Sequence, residues 1–168
     1  MVLHIAKTIQ QALQNIGNHY YHQFFLHNQE RISSNSPELI DKYGQLKWQI
    51  VDLLNERYSQ VLKDKFDLYH WLEFNQNDEV AYFLNETGSN CLNYSDHKIP
   101  HKFHLWLGKK GFIIGIEQLG SGFNALEVNE KRLKDNEGAA FEFFRNCKSS
   151  IFFDDSRKAR IVYMEHLI

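Results

Sequence analysis

Apolar residues recur every three or four positions through the first half of the chain and every second position through much of the second half. Ile5, Ile9, Ala12, Leu13 and Ile16 share one helical face, and Tyr20 and Phe24 extend the same spacing beyond Gly17. Glycine inside a helix costs about 1 kcal/mol relative to alanine, so Gly17 is a place for a kink or break. The tract Ser33-Ser34-Asn35-Ser36-Pro37 then punctuates the chain. Ser36 suits a helix cap, and Pro37 suits a first turn, where no amide hydrogen is needed. The spacing of Leu39, Tyr43, Leu46, Ile50, Leu54, Tyr58, Leu62 and Phe66 predicts a second, long helix, with a boundary near Asn75 to Asp78. Two helices joined by a short polar link predict an antiparallel hairpin over residues 1–75.

Beyond residue 78 the period changes to two. His101, Phe103, Leu105 and Leu107 fall on one side of a strand, and Lys102, His104 and Trp106 on the other. Phe112 to Gln118 alternates likewise, across a turn at Gly108-Lys109-Lys110-Gly111. Pairing Leu107 with Phe112 brings Leu105 to Ile114, Phe103 to Ile116 and, on the opposite side, Lys102 to Glu117. A short strand is expected at Ala81 to Leu84, and a second hairpin at Ile151 to Phe153 with Arg160 to Met164. Ala140, Phe141 and Phe144 place a helix over Glu137 to Asn146. The expected fold is α+β, one domain over 1–168. An N-terminal antiparallel helical hairpin packs on a mainly antiparallel sheet over 78–168, and one further helix lies between the strand hairpins.

The 168 residues are 43% hydrophobic and 14% aromatic, enough to bury a core, which excludes disordered and low-complexity classes. Nineteen Lys and Arg against 21 Asp and Glu leave a net charge of −2, and neither half hides an excess. A sequence-independent nucleic-acid grip therefore lacks its electrostatic footprint. Two cysteines, Cys91 and Cys147, are too few for a disulfide scaffold and imply a reducing, cytoplasmic setting. The apolar run Phe112 to Ile116 is far shorter than a bilayer requires, and no charged leader precedes an apolar block, so neither a membrane helix nor an export signal is expected.

Several motifs carry candidate chemistry. Gly120-Ser121-Gly122-Phe123-Asn124-Ala125 matches the letters of a dinucleotide fingerprint, but it follows the second arm of a hairpin and not the first strand of a βαβ unit, so a glycine-permitted turn is the better account. Of the histidines, His97, His101 and His104 are close in sequence, yet 101 and 104 face opposite sides of a strand; His19 and His22 have better spacing only on a helix. No metal and no cofactor is assigned. Cys91 stands in a polar stretch with His101 downstream and is a candidate thiol nucleophile, whereas Cys147 reads as an apolar filler. Asp154 and Asp155 beside Arg157, Lys158 and Arg160 read as an anion site or, more simply, as a solvated turn. His104, with Lys102, Arg160 and Tyr163, would supply proton transfer and phosphate contact in a metal-independent ribonuclease.

Rings are the most unusual feature. Tyr20-Tyr21, Phe24-Phe25 and Phe143-Phe144 are adjacent pairs, and adjacent residues of a helix cannot share one core face. The surplus predicts a protein-binding surface, with Tyr21, Phe25, Trp71, Trp106 and Phe143 as its candidates and either another protein or a second copy as its partner. The alternative is a small hydrolase or ribonuclease centred on His104 with Arg160, or on Cys91 with His101.

Overall fold

A computed structural model describes residues 3–26, 36–72, 78–88, 99–135 and 139–168. Its elements run in the order α1 (Ile9–Ile16), β1 (His19–Phe25), α2 (Pro37–Tyr58), a 3-10 turn (Leu68–Leu72), α3 (Glu79–Tyr82) continuing into a π-helical turn (Phe83–Thr87), β2 (Lys102–Gly108), β3 (Gly111–Glu117), α4 (Ala125–Asp135), α5 (Ala139–Asn146), β4 (Ser150–Phe153) and β5 (Ile161–Leu167). The strands form one antiparallel sheet in the order β1-β2-β3-β5-β4. The fold is therefore α+β. Among the described residues no helix is long and apolar enough to cross a membrane.

The β2–β3 register follows from the alternation: Leu105 faces Ile114, Phe103 faces Ile116 and Lys102 faces Glu117. The β4–β5 hairpin also forms, pairing Phe152 with Tyr163. The N-terminal helical hairpin does not. α1 ends at Ile16, Gly17 takes the left-handed φ of 76° that glycine tolerates, and the chain leaves as strand. Tyr20-Tyr21 and Phe24-Phe25 are accommodated by the two faces of β1, while Phe143-Phe144 stays on helix α5, so residues 1–75 contribute a sheet strand as well as helices.

Three other expectations change. α2 stops at Tyr58 and not at Phe66. Ser36 supplies its carbonyl to Ile40 (3.1 Å) but makes no side-chain cap. Ala81 to Leu84 is helical: Asp78 caps α3 by accepting from the Ala81 N–H at 3.0 Å, and Val80, Ala81, Phe83 and Leu84 are buried all round. A short apolar run is ambiguous between strand and buried helix, and here the cap decides.

One face of the sheet carries the main core. Phe103, Leu105, Phe112, Ile114, Ile116 and Met164 are buried against Ile50 and Leu54 of α2 and the α3 segment. The opposite face is covered at one end by α1, whose Ala12 and Ile16 pack on Ile113, Phe152 and Tyr163. Buried Glu165 holds α1 there, accepting from Lys7 Nζ (2.9 Å) and Asn15 Nδ2 (3.1 Å). The β2–β3 turn is gripped from both layers. The Tyr58 hydroxyl lies 2.8 Å from the Gly108 and Gly111 carbonyls, while the Ile16 carbonyl accepts from the Lys110 N–H at 3.0 Å.

Candidate functional site

The part of the second face that α1 leaves open holds a polar cluster. Strand alternation puts Tyr21, Gln23 and Phe25 of β1, Lys102, His104 and Trp106 of β2, Glu117 of β3 and Tyr163 of β5 on this side. His104 lies across from Gln23 on one flank and Gly115 on the other. Gly115 is what lets the cluster close: a Cβ there would stand 3.0 Å from Tyr163 Cε1 and 3.2 Å from His104 Cβ.

His104 is 8% exposed and both its ring nitrogens are engaged. Nε2 lies 2.6 Å from Glu117 Oε2, and Nδ1 lies 2.6 Å from the Tyr21 hydroxyl. Lys102 Nζ approaches the same Glu117 oxygen at 3.3 Å. Burial alone would raise the Glu117 carboxyl, but the His104 hydrogen bond and charge, followed by Lys102, outweigh it and hold the group below its ordinary value. An ionised carboxylate only accepts, so Nε2–H donates to Glu117; the direction of the Tyr21 hydroxyl contact follows the imidazole's protonation, the neutral ring accepting at Nδ1 and the charged ring donating from it. The result is a hydrogen-bonded relay from an exposed phenol through a buried imidazole to a carboxylate.

The rings of the cluster stand in ranks. Tyr21 stacks on Trp106 at 4.9 Å and runs nearly parallel to His104 at 5.9 Å; His104 and Trp106 are 5.6 Å apart. Lys102 places its ammonium 5.2 Å from the centre of the Phe25 ring. Burial raises the Tyr21 hydroxyl above its ordinary value, Gln23 opposes this, and the Glu117 charge adds to it, so the phenol keeps its proton at neutral pH. Tyr163 is raised in the same direction by burial, then by Asp154 and Glu117.

Of the residues expected to carry chemistry, His104, Lys102 and Tyr163 share this face. Arg160 does not join them. It is exposed just before β5, its backbone N–H bonds Asp154 Oδ1 at 3.0 Å, and no hydrogen bond or ion pair links it to His104 among the described residues. His101 is buried just before β2, edge-on to Phe25 at 5.9 Å. Cys91 and His97 lie outside the described residues, so the Cys91–His101 pairing does too. Cys147 is buried, and burial followed by the Glu79 charge pushes its thiol up to about 12, the behaviour of an inert filler.

The interface candidates separate in the same way. Tyr21 and Phe25 are exposed on β1, and Trp106 is half-buried behind Tyr21. Phe143 packs against Tyr82 at 4.4 Å, within the helical layer. Trp71 falls in the 3-10 turn, its side chain outside the described set. Among the described residues the most exposed ring is Tyr20 at 68%, also on β1, with the Arg57 guanidinium 5.8 Å from its centre.

The remaining motifs resolve as backbone devices. Asp155 Oδ1 accepts from the Arg157 N–H (2.9 Å), and Asp154 Oδ1 from those of Arg160 and Ile161, which makes the charged stretch a hairpin turn. Gly120 and Gly122 take φ of 116° and 87° between β3 and α4, and β3 is antiparallel to both its neighbours, so no βαβ cradle exists there. His19 and His22 sit on a strand and face opposite sides. Among the described residues no group of three or more His, Cys, Asp or Glu could hold a metal ion.

A second feature had no signal in the sequence. A cavity of about 850 Å³ opens beside Trp48, Phe66, His70, Asp78, Glu79 and His166. Glu79 accepts from the Ser149 N–H (3.0 Å) and hydroxyl (2.7 Å) and from the Lys148 N–H, and Ser149 Oγ lies 2.8 Å from His166 Nδ1. Burial lowers the His166 imidazole, against the opposing charges of Glu79 and Asp78. Asp78 is spent on the Ala81 and Asp67 N–H groups and on His70. These carboxylates staple α3 to neighbouring segments across gaps of 8 to 70 residues.

No family model matches the chain, and no curated protein matches it.

Proposed function

We propose that this chain is a protein-docking module whose docking element is strand β1. The observation that carries the reading is an open sheet edge. β1 pairs with β2 alone among the described residues, and six of its seven residues are exposed. Its sequence, His-Tyr-Tyr-His-Gln-Phe-Phe, contains no carboxylate, lysine, arginine or proline, the residues that usually guard an edge against strand addition. Leu26 donates its N–H to the His101 carbonyl at 2.9 Å. Alternation along an antiparallel strand then turns the N–H and C=O groups of His19, Tyr21, Gln23 and Phe25 outward, away from β2. Main-chain groups presented in this way give affinity to an added strand, and the exposed rings beside them give it selectivity.

A photoreactive phenylalanine analogue in place of Phe25 is expected to crosslink to a polypeptide in the native cell. Gln23→Pro should abolish the adduct, because it removes an outward N–H without touching the β2 ladder. No polypeptide adduct, or one indifferent to Gln23→Pro, overturns the reading.

A second reading, a small hydrolase or metal-independent ribonuclease, is favoured by one observation: the His104 imidazole is held at 2.6 Å on both nitrogens, between a phenol and a carboxylate. Purified protein would then cleave an RNA oligonucleotide or an aryl ester, and His104→Ala would abolish the cleavage. No turnover by the wild type ends that reading.

A further inference from the structure

We infer that the strand seated on β1 is β1 of a second copy, paired antiparallel about His22, an inference that rests on the docking reading above. Two such strands meet with outward-turned residues opposite outward-turned residues, since only these exchange N–H···O=C bonds. The registers that satisfy this condition differ in how much strand they use. Placing His22 opposite its own copy pairs all seven residues of His19–Phe25, whereas a shift of two residues in either direction leaves two of the seven unpaired.

The full register is complementary side chain by side chain. On one face Tyr20, the most exposed ring of the strand, lies across from Phe24 of the other copy, and the symmetry gives this pair twice. On the other face Phe25 meets His19 and Tyr21 meets Gln23. The two Tyr21 rings become diagonal neighbours across the axis, a separation aromatic side chains span. Charge agrees with this arrangement. No Asp, Glu, Lys or Arg stands on the strand to oppose its like. The two Lys102 ammonium groups, each beside a Phe25, are carried to opposite ends of the ladder. The net charge of −2 per chain adds little long-range repulsion. The outer flank of the Tyr21–His104–Glu117 relay is thus completed by the second copy, whose Gln23 comes to lie beside Tyr21.

Light scattering on the purified chain should give twice the 19.9 kDa mass, and Gln23→Pro should return it to one chain mass with an unchanged circular dichroism spectrum. A register test is independent of that variant. His22 occupies a non-hydrogen-bonded pair on the axis, where Cα atoms are about 4.5 Å apart, within disulfide range. Oxidised His22→Cys should therefore form a covalent dimer that the wild type, with its own two cysteines, does not form. Phe25→Cys, facing His19, should not. A dimer linked through Phe25→Cys and not through His22→Cys overturns the register. A single-chain mass at every concentration overturns self-pairing. If the Phe25 photo-adduct then contains a different polypeptide and remains sensitive to Gln23→Pro, docking stands and only the choice of occupant falls; if there is no adduct, both fall.

Discussion

The two edges of the sheet are finished in opposite ways. Along β4 the chain closes its own edge: Leu3 bridges Ile151 in parallel, the His4 N–H reaches the Ile151 carbonyl at 2.8 Å, and Ile151 and Phe152 are wholly buried. Along β1 the outer backbone has no partner strand among the described residues, and Tyr20, Tyr21 and Phe25 are exposed. An exposed edge is ordinarily blunted by charge, proline or a bulge, because it templates pairing with other chains. Here one edge is sealed with three apolar residues and the other carries rings without a guard. The contrast locates the functional question at β1 more sharply than any single side chain does.

Substitutions on the two edges are the most direct way to break this comparison, measured by denaturant unfolding in a Gln23→Pro background so that assembly does not contribute. Phe152→Ala should cost about 3–5 kcal/mol, because it empties a fully buried site stacked on Tyr163 at 5.0 Å. Leu3→Ala should follow at about 2–4 kcal/mol, since it removes the buried side chain that packs the bridging segment onto this edge. A loss under 1 kcal/mol at either position would mean that this edge is not sealed.

Smaller effects are expected at the cluster behind β1. Gly115→Ala should cost about 1–3 kcal/mol, as its new methyl must push back the Tyr163 ring and His104. Glu117→Gln should cost about 1–3 kcal/mol at pH 7. Because the folded Glu117 carboxyl titrates below its ordinary value of 4.5, its contribution is complete above that pH and is lost as the pH falls through the lower, folded value. Urea titrations from pH 7 to pH 3 should therefore show the two proteins converging on the acid side; a difference independent of pH would refute the charge account. Phe25→Ala should be the mildest, within about 0.5 kcal/mol for the single chain. A cost above 1 kcal/mol there would make Phe25 a core residue and remove the asymmetry between the edges.

Legibility in the sequence followed how much each element depends on local pattern. The β2–β3 hairpin was readable to the residue, because alternation, a two-glycine turn and the Lys102–Glu117 pair all specify one register. β1 was not. Ile16, Tyr20 and Phe24 keep helical spacing through Gly17, and only the adjacency of Tyr20-Tyr21 and Phe24-Phe25 hinted that the residues alternate between two faces. α4 left almost no trace, since Ala125 alone among its residues is buried. Within the site, the His104–Glu117 contact was implicit in the hairpin register, where the two residues are diagonal neighbours. Tyr21 was legible as an exposed-ring candidate but its contact with His104 was not, because its place beside His104 exists only once residues 19–25 are a strand. The Glu79–Ser149–His166 staple joins residues 70 and 17 apart, a separation no local period encodes.

The turn between β2 and β3 has a mechanical consequence. A Cβ on Gly108 would come within 2.5 Å of the Ile16 carbonyl, and Tyr58 of α2 reaches the same few residues from the far side of the sheet. A short loop thus rivets a helix of each layer, so α1 cannot slide away from the relay face without loading an anchor that belongs to the main core. A strand added at β1 would therefore meet a platform whose two coverings are tied to the same loop.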